Sequence, residues 1–308
     1  MTDRIPAVSV IIISYKGEQF LPKSIGSVLA QTFTDFELVI VEDGSRDAAE
    51  SIVASFNDPR ARYVWRPNGG TSAARNTGIR ETTAPLVAFL DSDDWWDPRK
   101  LAAQVEALAD HPDAGVVYTA AMMVTEGTTT MSLDPAAVQG DALPSLLTRN
   151  SIAGSASSVM VRRQVLEQVG GFDETVKFAE DWECWLRLAK ATPFVGVERP
   201  DVYINVRPGS FGRKTDDLRL GAHAVVNKAF TLADQKYHHL KRIAHANIEF
   251  GASVDLAHHG KRRKAIVPLL RAIRYDPLRP KFWRRLVLMV LSKVWPTPEF
   301  RRRIITVA

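Results

Sequence analysis

Three carboxylates crowd into four positions at Asp91-Ser92-Asp93-Asp94. They follow Leu86-Val87-Ala88-Phe89-Leu90, an apolar run too short for a buried helix and of the right length for a buried strand. A strand ending in acids delivers oxygen ligands to its carboxyl edge, which is where open α/β sheets bind their ligands. Extended backbone would put Asp91 and Asp93 on one side, so both could reach a hard cation, Mg²⁺ or Mn²⁺, shared with a phosphate. Asp94 is a third candidate ligand. The plainer alternative is that these acids only solvate a turn before a helix capped at Asp97-Pro98, but repulsion among neighbouring carboxylates weighs against it. A second acidic element, Glu180-Asp181, opens a helix whose Trp182, Trp185, Leu186 and Ala189 share one face. A carboxylate fixed there beside tryptophans is placed to take a proton from a hydroxyl, although the positive helix end lowers its pKa. Asp181 is the candidate general base, and a helix cap fits the same residues.

The elements that must position these acids alternate. Val8 to Ile13 reads as a buried strand, and Leu21, Ile25 and Val28 mark the inner face of the helix after it. A second strand, Phe36 to Val41, runs into Glu42-Asp43-Gly44-Ser45, and a third, Ala61 to Trp65, precedes the next loop. Strands alternating with helices predict a parallel sheet with right-handed crossovers, so Tyr15 and Asp43 should share one edge. There Asp43 can accept the imide N–H of a uracil while Tyr15 stacks on its ring, or Asp43 or Ser45 can simply cap the helix carrying Ile52 and Val53. The loop Pro67-Asn68-Gly69-Gly70 leads to Thr71 or Ser72 as helix caps, with Arg75 one turn inside, where a guanidinium reaches a phosphate. A solvated helix arginine is the alternative there.

At 308 residues with 45% hydrophobic content, the chain can bury a full core. Cys184 is the single cysteine, which rules out an intrachain disulfide and points to a reducing compartment. Met1 to Pro6 lacks the look of a signal peptide and no run reaches membrane-spanning length, so a cytoplasmic protein is expected. Residues 261–308 hold 14 Lys+Arg against Asp276 and Glu299, a balance of +12, leaving −7 for the rest. The basic character of the chain is therefore C-terminal, and nucleic acid is not among the expected partners.

Taken together, Val8 to Tyr15, Glu42-Asp43-Gly44-Ser45, Gly69-Gly70 with Ala74-Arg75-Asn76, and Leu90-Asp91-Ser92-Asp93-Asp94 resemble the family 2 glycosyltransferases, inverting enzymes of the GT-A fold. The likeness covers roughly residues 6–210. It implies a nucleotide-diphosphate sugar donor, a divalent metal on Asp93, ribose or metal contact by Asp91, base recognition by Asp43 and Asp181 as base. Arg207 stands where the family's closing loop brings a cation to the diphosphate. Glu42 departs from the family's usual Asp, and Lys16 from a frequent Asn. The expected fold is α/β: a GT-A domain, Rossmann-like with a mostly parallel sheet between helices, over residues 1–215, its donor half about 1–98 and its acceptor half about 99–215. An all-helical extension is expected over 216–308. The expected activity is metal-dependent transfer from a UDP-sugar to a glycan or lipid-linked acceptor, in cell-surface polysaccharide synthesis. A nucleotidyltransferase is the runner-up, but Lys16-Gly17-Glu18 makes a poor pyrophosphate loop; an idle carbohydrate-binding or scaffold protein would not need all these acids.

Further along, Ala114 to Met123 reads as a strand, Thr125 to Gln139 as an acceptor-side loop, and Ser155 to Ser158 as a sugar contact or a small-residue packing surface. Four C-terminal helices are expected at 217–233, 237–259, 262–275 and 280–294. His238, His239, His258 and His259 come in adjacent pairs unsuited to zinc and read as solvated. The last helix mixes Phe282, Trp283, Val287, Val290 and Trp295 with Arg279, Lys281, Arg284 and Arg285. It suits an anionic membrane surface, which would make the protein peripheral on the inner face, or docking on the catalytic domain or on a second subunit.

Overall fold

The run Val8-Ser9-Val10-Ile11-Ile12-Ile13 offers no face to water, and in the computed structural model it is buried throughout as β1 (Val8–Ser14). The structure describes residues 4–125, 128–131, 139–152, 154–206 and 215–294. Around β1 the alternating pattern folds as its periodicity requires: α1 (Leu21–Leu29), β2 (Phe36–Asp43), α2 (Ala49–Ser55), β3 (Ala61–Arg66), α3 (Thr71–Arg80) and β4 (Leu86–Asp91). The four strands are parallel in the order β3-β2-β1-β4, so their carboxyl ends face one way. Register brings Ser14 beside Glu42 and Ile13 beside Asp91. The ends of β1, β2 and β4, each followed or closed by a candidate site residue, therefore meet.

The second half extends this sheet with mixed directions. After the two-residue β5 (Trp95–Trp96) come α4 (Lys100–Asp110), β6 (Val116–Thr125), β7 (Thr128–Met131), α5 (Leu143–Thr148), β8 (Val159–Arg162), α6 (Arg163–Gln168), α7 (Glu180–Ala191) and β9 (Phe194–Asn205). β8 enters antiparallel between β4 and β6, β9 lies parallel to β6, and β5 pairs antiparallel to β9. The order β3-β2-β1-β4-β8-β6-β9-β5, with β7 on β6, is more mixed than a mostly parallel sheet. The sequence shows a strand's length and burial, whereas its direction is fixed by long-range pairing.

By compactness the chain divides into Met1–Leu146 with Asn150–Arg207, and Leu147–Arg149 with Pro208–Ala308. The second unit is helical: α8 (Thr215–Leu232), α9 (Leu240–His258), α10 (Arg262–Tyr275) and α11 (Pro280–Val294). Its core packs Phe250 and Leu256 of α9 against Leu269 and Ile273 of α10 and Phe282 and Met289 of α11. The paired histidines at 238–239 and 258–259 are exposed, as read from the sequence. A different pair is not. His223 of α8 and His245 of α9 approach through their Nδ1 atoms at 2.7 Å, and His223 Nε2 meets Glu249 Oε1 at 2.9 Å. Arg219 Nη1 donates to the same oxygen at 2.8 Å, and Tyr275 stacks on His245.

Only one proton fits between two facing Nδ1 atoms, so acid opposes this contact. Burial, followed by the His223 and Lys241 charges, pushes His245 down to about 4 from its ordinary 6.5. A histidine whose folded pKa is depressed contributes stability above the unfolded value and loses it as pH falls towards the folded one. The melting temperature is therefore expected to fall more steeply between pH 6.5 and 4.5 in the native chain than in His245→Gln, and parallel melting curves across that window would refute this.

Candidate functional site

The acidic turn forms because β4 stops at Asp91. Residues 92 and 93 bend, with the Asp94 amide donating to Asp91 O at 3.0 Å and the Ser92 amide to Ile13 O at 3.2 Å. A turn, rather than the extended alternation read from the sequence, thus brings Asp91, Ser92 and Asp93 to one cleft of about 280 Å³. Ser14, Tyr15, Asp43, Arg75, Ser155 and Glu180 line the same cleft.

Asp94 does not line it. Its side chain is 5% exposed, Oδ2 accepts from Ser157 Oγ at 2.6 Å, and Oδ1 accepts from the Asn205 amide at 3.1 Å. Burial, and then the Asp91 charge, raise it well above the carboxylate range. This corrects its reading as a metal ligand: Asp94 braces the turn against the end of β9. Ser157 completes the brace by accepting from the Asp91 amide at 3.1 Å, so this member of the serine stretch supports the turn, while Ser155 lines the cleft.

Arg75 also departs from expectation. Gly70 rather than Thr71 or Ser72 is the N-cap of α3, and the arginine is 2% exposed. Its Nη2 donates to Asp91 Oδ1 and its Nη1 to Glu180 Oε1, each at 2.9 Å. Burial opposes the charge, but Asp91 and Glu180 outweigh it and raise the Arg75 pKa. A guanidinium committed to two carboxylates is a strut between β4 and α7 rather than a free hand for phosphate.

Across the strut lies the acid pair. Glu180 also accepts from Thr71 Oγ1 at 2.9 Å; burial pushes its pKa up, yet Arg75 and these hydrogen bonds carry it below the ordinary value. Asp181 lies just behind the cleft wall, with Oδ1 accepting from the Trp182 amide at 2.7 Å and Oδ2 from Ser155 Oγ at 3.2 Å and Asn150 Nδ2 at 3.3 Å. Burial, reinforced by the Glu180 charge, raises it to about 6. The helix end was expected to lower this pKa; burial wins. Glu183 pairs with Arg187 four residues on, a structural role. Cys184 is buried with its thiol pushed up to about 12, which removes it as a nucleophile.

Asp43 lines the cleft, but its carboxylate is already engaged. Arg66 and the Gly69 amide (3.0 Å) donate to Oδ1, while the Asn68 side chain (3.1 Å) and the Gly70 amide (2.7 Å) donate to Oδ2. It caps no helix; it pins the glycine loop. Gly44, at φ +90°, lets β2 turn into this contact, since a Cβ there would stand 2.5 Å from the Asn68 amide nitrogen. Tyr15 is 53% exposed, with Lys16 Nζ 5.2 Å from its ring centre. Tyr203 stacks on Trp95, whereas Arg207 and most of the expected acceptor-side loop lie outside the described residues.

No three His, Cys, Asp or Glu converge on a metal position among the described residues. The donors in the cleft, Asp91 and Asp93, are hard oxygens on one turn, which suits a cation held by one or two carboxylates and completed by water and substrate phosphates. Sequence reasoning missed Asn150 and Arg66, and it did not foresee that Ser155 and Ser157 bond to Asp181 and to the Asp91 amide, because all these partners lie 23 to 66 positions away.

The pattern of the family described as Glycosyl transferase family 2 matches residues 9–170. An uncharacterized glycosyltransferase of Nostoc sp. is 33% identical over 201 residues, 61% of this chain and 60% of its own length. The chain spans 60% or less of the length of the curated relatives it matches first. In structure it is similar to residues 1–349 of S. aureus TarS in complex with UDP-GlcNAc, with TM-score 0.66, 19% identity, and coverage of 97% of this chain and 90% of that one. The mannosyltransferase PcManGT of Pyrobaculum calidifontis, in complex with GDP-Man and Mn²⁺, gives TM-score 0.67 at 17% identity over 99% and 85% of the two chains. At such identities the likeness speaks for the fold, which is GT-A with a C-terminal helical region. Because the family pattern runs unbroken from β1 past the acidic turn to the glycines after α6, the chain belongs to glycosyl transferase family 2.

Proposed function

We propose that this chain transfers a sugar from a nucleotide-diphosphate donor, with UDP favoured, to a hydroxyl of a glycan or lipid-linked glycan, inverting the anomeric centre, in the synthesis of a cell-surface polysaccharide. The observation that carries the proposal is the splitting of the acid pair: Glu180 is tied to Arg75 and lowered, while its neighbour Asp181 is raised to about 6 behind the cleft wall. A carboxylate at that value is ionised at neutral pH yet basic enough to accept a hydroxyl proton. Asp181 takes this proton, the acceptor oxygen bonds to the anomeric carbon, and the bond to the diphosphate oxygen breaks on the opposite side, its electron pair leaving with the diphosphate.

The remaining assignments follow position. The base lies against Tyr15, and uracil is recognised when its imide N–H replaces one of the loop donors on Asp43. Asp93 with Asp91 would hold Mg²⁺ or Mn²⁺, which would supply positive charge against the departing diphosphate. UDP-GlcNAc in TarS and GDP-Man with Mn²⁺ in PcManGT support a nucleotide-sugar donor of this class. A donor-hydrolysis assay separates this reading from an idle binding protein.

Two variants test it. Asp93→Ala is expected to abolish Mn²⁺-dependent stabilisation by UDP in thermal-shift assays and to abolish turnover, while the free protein still folds and unfolds cooperatively. Metal-dependent activity like that of the native chain would remove Asp93 from the site. Asp181→Asn keeps the hydrogen-bonding shape but cannot accept a proton, so nucleotide binding persists and transfer falls at least about a hundredfold. In the native chain the transfer rate should drop as pH falls through about 6. Transfer by Asp181→Asn within a few-fold of native would move the base elsewhere, with Glu180 the first suspect.

A further inference from the structure

α10 and α11 each carry exposed apolar side chains in addition to those they bury. Their inner faces are already spent: Leu269 and Ile273 of α10 and Phe282 and Met289 of α11 lie in the core of the helical unit. Yet Val267 and Leu270 of α10 stay about half exposed, as do Trp283, Val287 and Val290 of α11, and Leu278 between the helices is 89% exposed. On α11 the spacing of Trp283, Val287 and Val290 is that of a single helical stripe. Exposed aliphatic residues are ordinary singly, but a three-residue stripe on α11, with Val267 and Leu270 exposed on the helix before it, marks a surface that meets something.

Charge indicates what it meets. Over residues 261–291 the exposed charged side chains are Lys261, Arg263, Lys264, Arg271, Arg274, Lys281 and Arg284, and the one acid, Asp276, is half-buried beside Arg279. Arg263, Arg271 and Arg274 fall on the same face of α10 as Val267. A second copy of the chain would set this cationic surface against itself with no exposed acid to pair, because a two-fold contact matches a patch with its own image. Nucleic acid would satisfy the cations but not the tryptophan and aliphatic stripe. Basic residues interleaved with tryptophan and aliphatic side chains suit the headgroup region of a bilayer, where the cations meet anionic phosphates and the stripe enters the acyl boundary. None of the described helices is long and apolar enough to cross a membrane, so this one lies on the surface.

We infer that the exposed face of α10 and α11 docks on an anionic lipid bilayer. Full-length protein is tested by co-sedimentation with vesicles of phosphatidylcholine alone and of phosphatidylcholine with phosphatidylglycerol, at low and high salt. The expected result is binding to the anionic vesicles that weakens at least tenfold from low to high salt, since these charges are screened over roughly 8 Å at physiological ionic strength. Two variants separate the components: Val287→Glu with Val290→Glu breaks the stripe, and Arg263→Gln with Arg271→Gln and Arg274→Gln removes charge. All five positions are exposed, so nucleotide-induced thermal shifts should be retained, and each variant should lose at least tenfold in vesicle affinity. Failure of the native chain to sediment with anionic vesicles at low salt would overturn the inference, as would equal binding by the variants. So would a native dimer in light scattering that Val287→Glu with Val290→Glu converts to monomer, because the face would then join two copies of the chain.

Discussion

One buried cation organises the site. Arg75 sits on a helix that also carries part of the core, is almost inaccessible to water, and spends its two terminal nitrogens on carboxylates 16 and 105 positions away. Removing an arginine from water costs several kcal/mol unless geometry and partners offset it, and taking away one partner of such a pair commonly costs about 3–5 kcal/mol. The end of β4 and the start of α7 are thus bound to a common point. Because the strut fixes Asp91 from one side and Ser157 fixes its amide from the other, the turn carrying Asp93 has little freedom to move.

The same cation separates two neighbouring carboxylates. Glu180 touches Arg75 and is stabilised as an anion; Asp181, one residue on, receives less of that charge and more of the penalty of burial beside an anion. Two acids in one environment are driven apart in pKa whenever only one of them can be compensated, and the uncompensated one acquires basicity near neutral pH. The pairing of an arginine on α3 with the helix start of α7 thus shapes the proton chemistry of a residue it does not hydrogen-bond.

Much of this was written locally. The apolar blocks of β1, β2 and β4, the helical spacing after each, the four C-terminal helices and the carboxylates at strand ends are properties of short windows, and the windows folded as their periods require. What was not legible depends on partners far away in sequence. Nothing near Asp94 reveals that it turns inward to Ser157 and Asn205, nothing near Arg75 names Glu180, and nothing in β8 says that it enters the sheet antiparallel. His223 and His245 lie 22 positions apart on different helices and became a pair only when those helices packed. Local polarity offered a phosphate contact for Arg75 and a base contact for Asp43; the fold engaged both side chains internally before any ligand arrives.

The turn at Gly44 has a consequence for the gene that encodes this chain. Every missense change at a glycine codon adds at least a Cβ, and here that atom would collide with the backbone of Asn68 in a conformation that already costs an L-residue about 1–3 kcal/mol. Replacing the bulk on the other side gives no relief, because the clash is with a main-chain nitrogen that every residue carries. Substitution at this position is therefore costly whatever residue replaces the glycine, and the close approach ties the end of β2 to the loop at 66–70 through their backbones rather than their side chains.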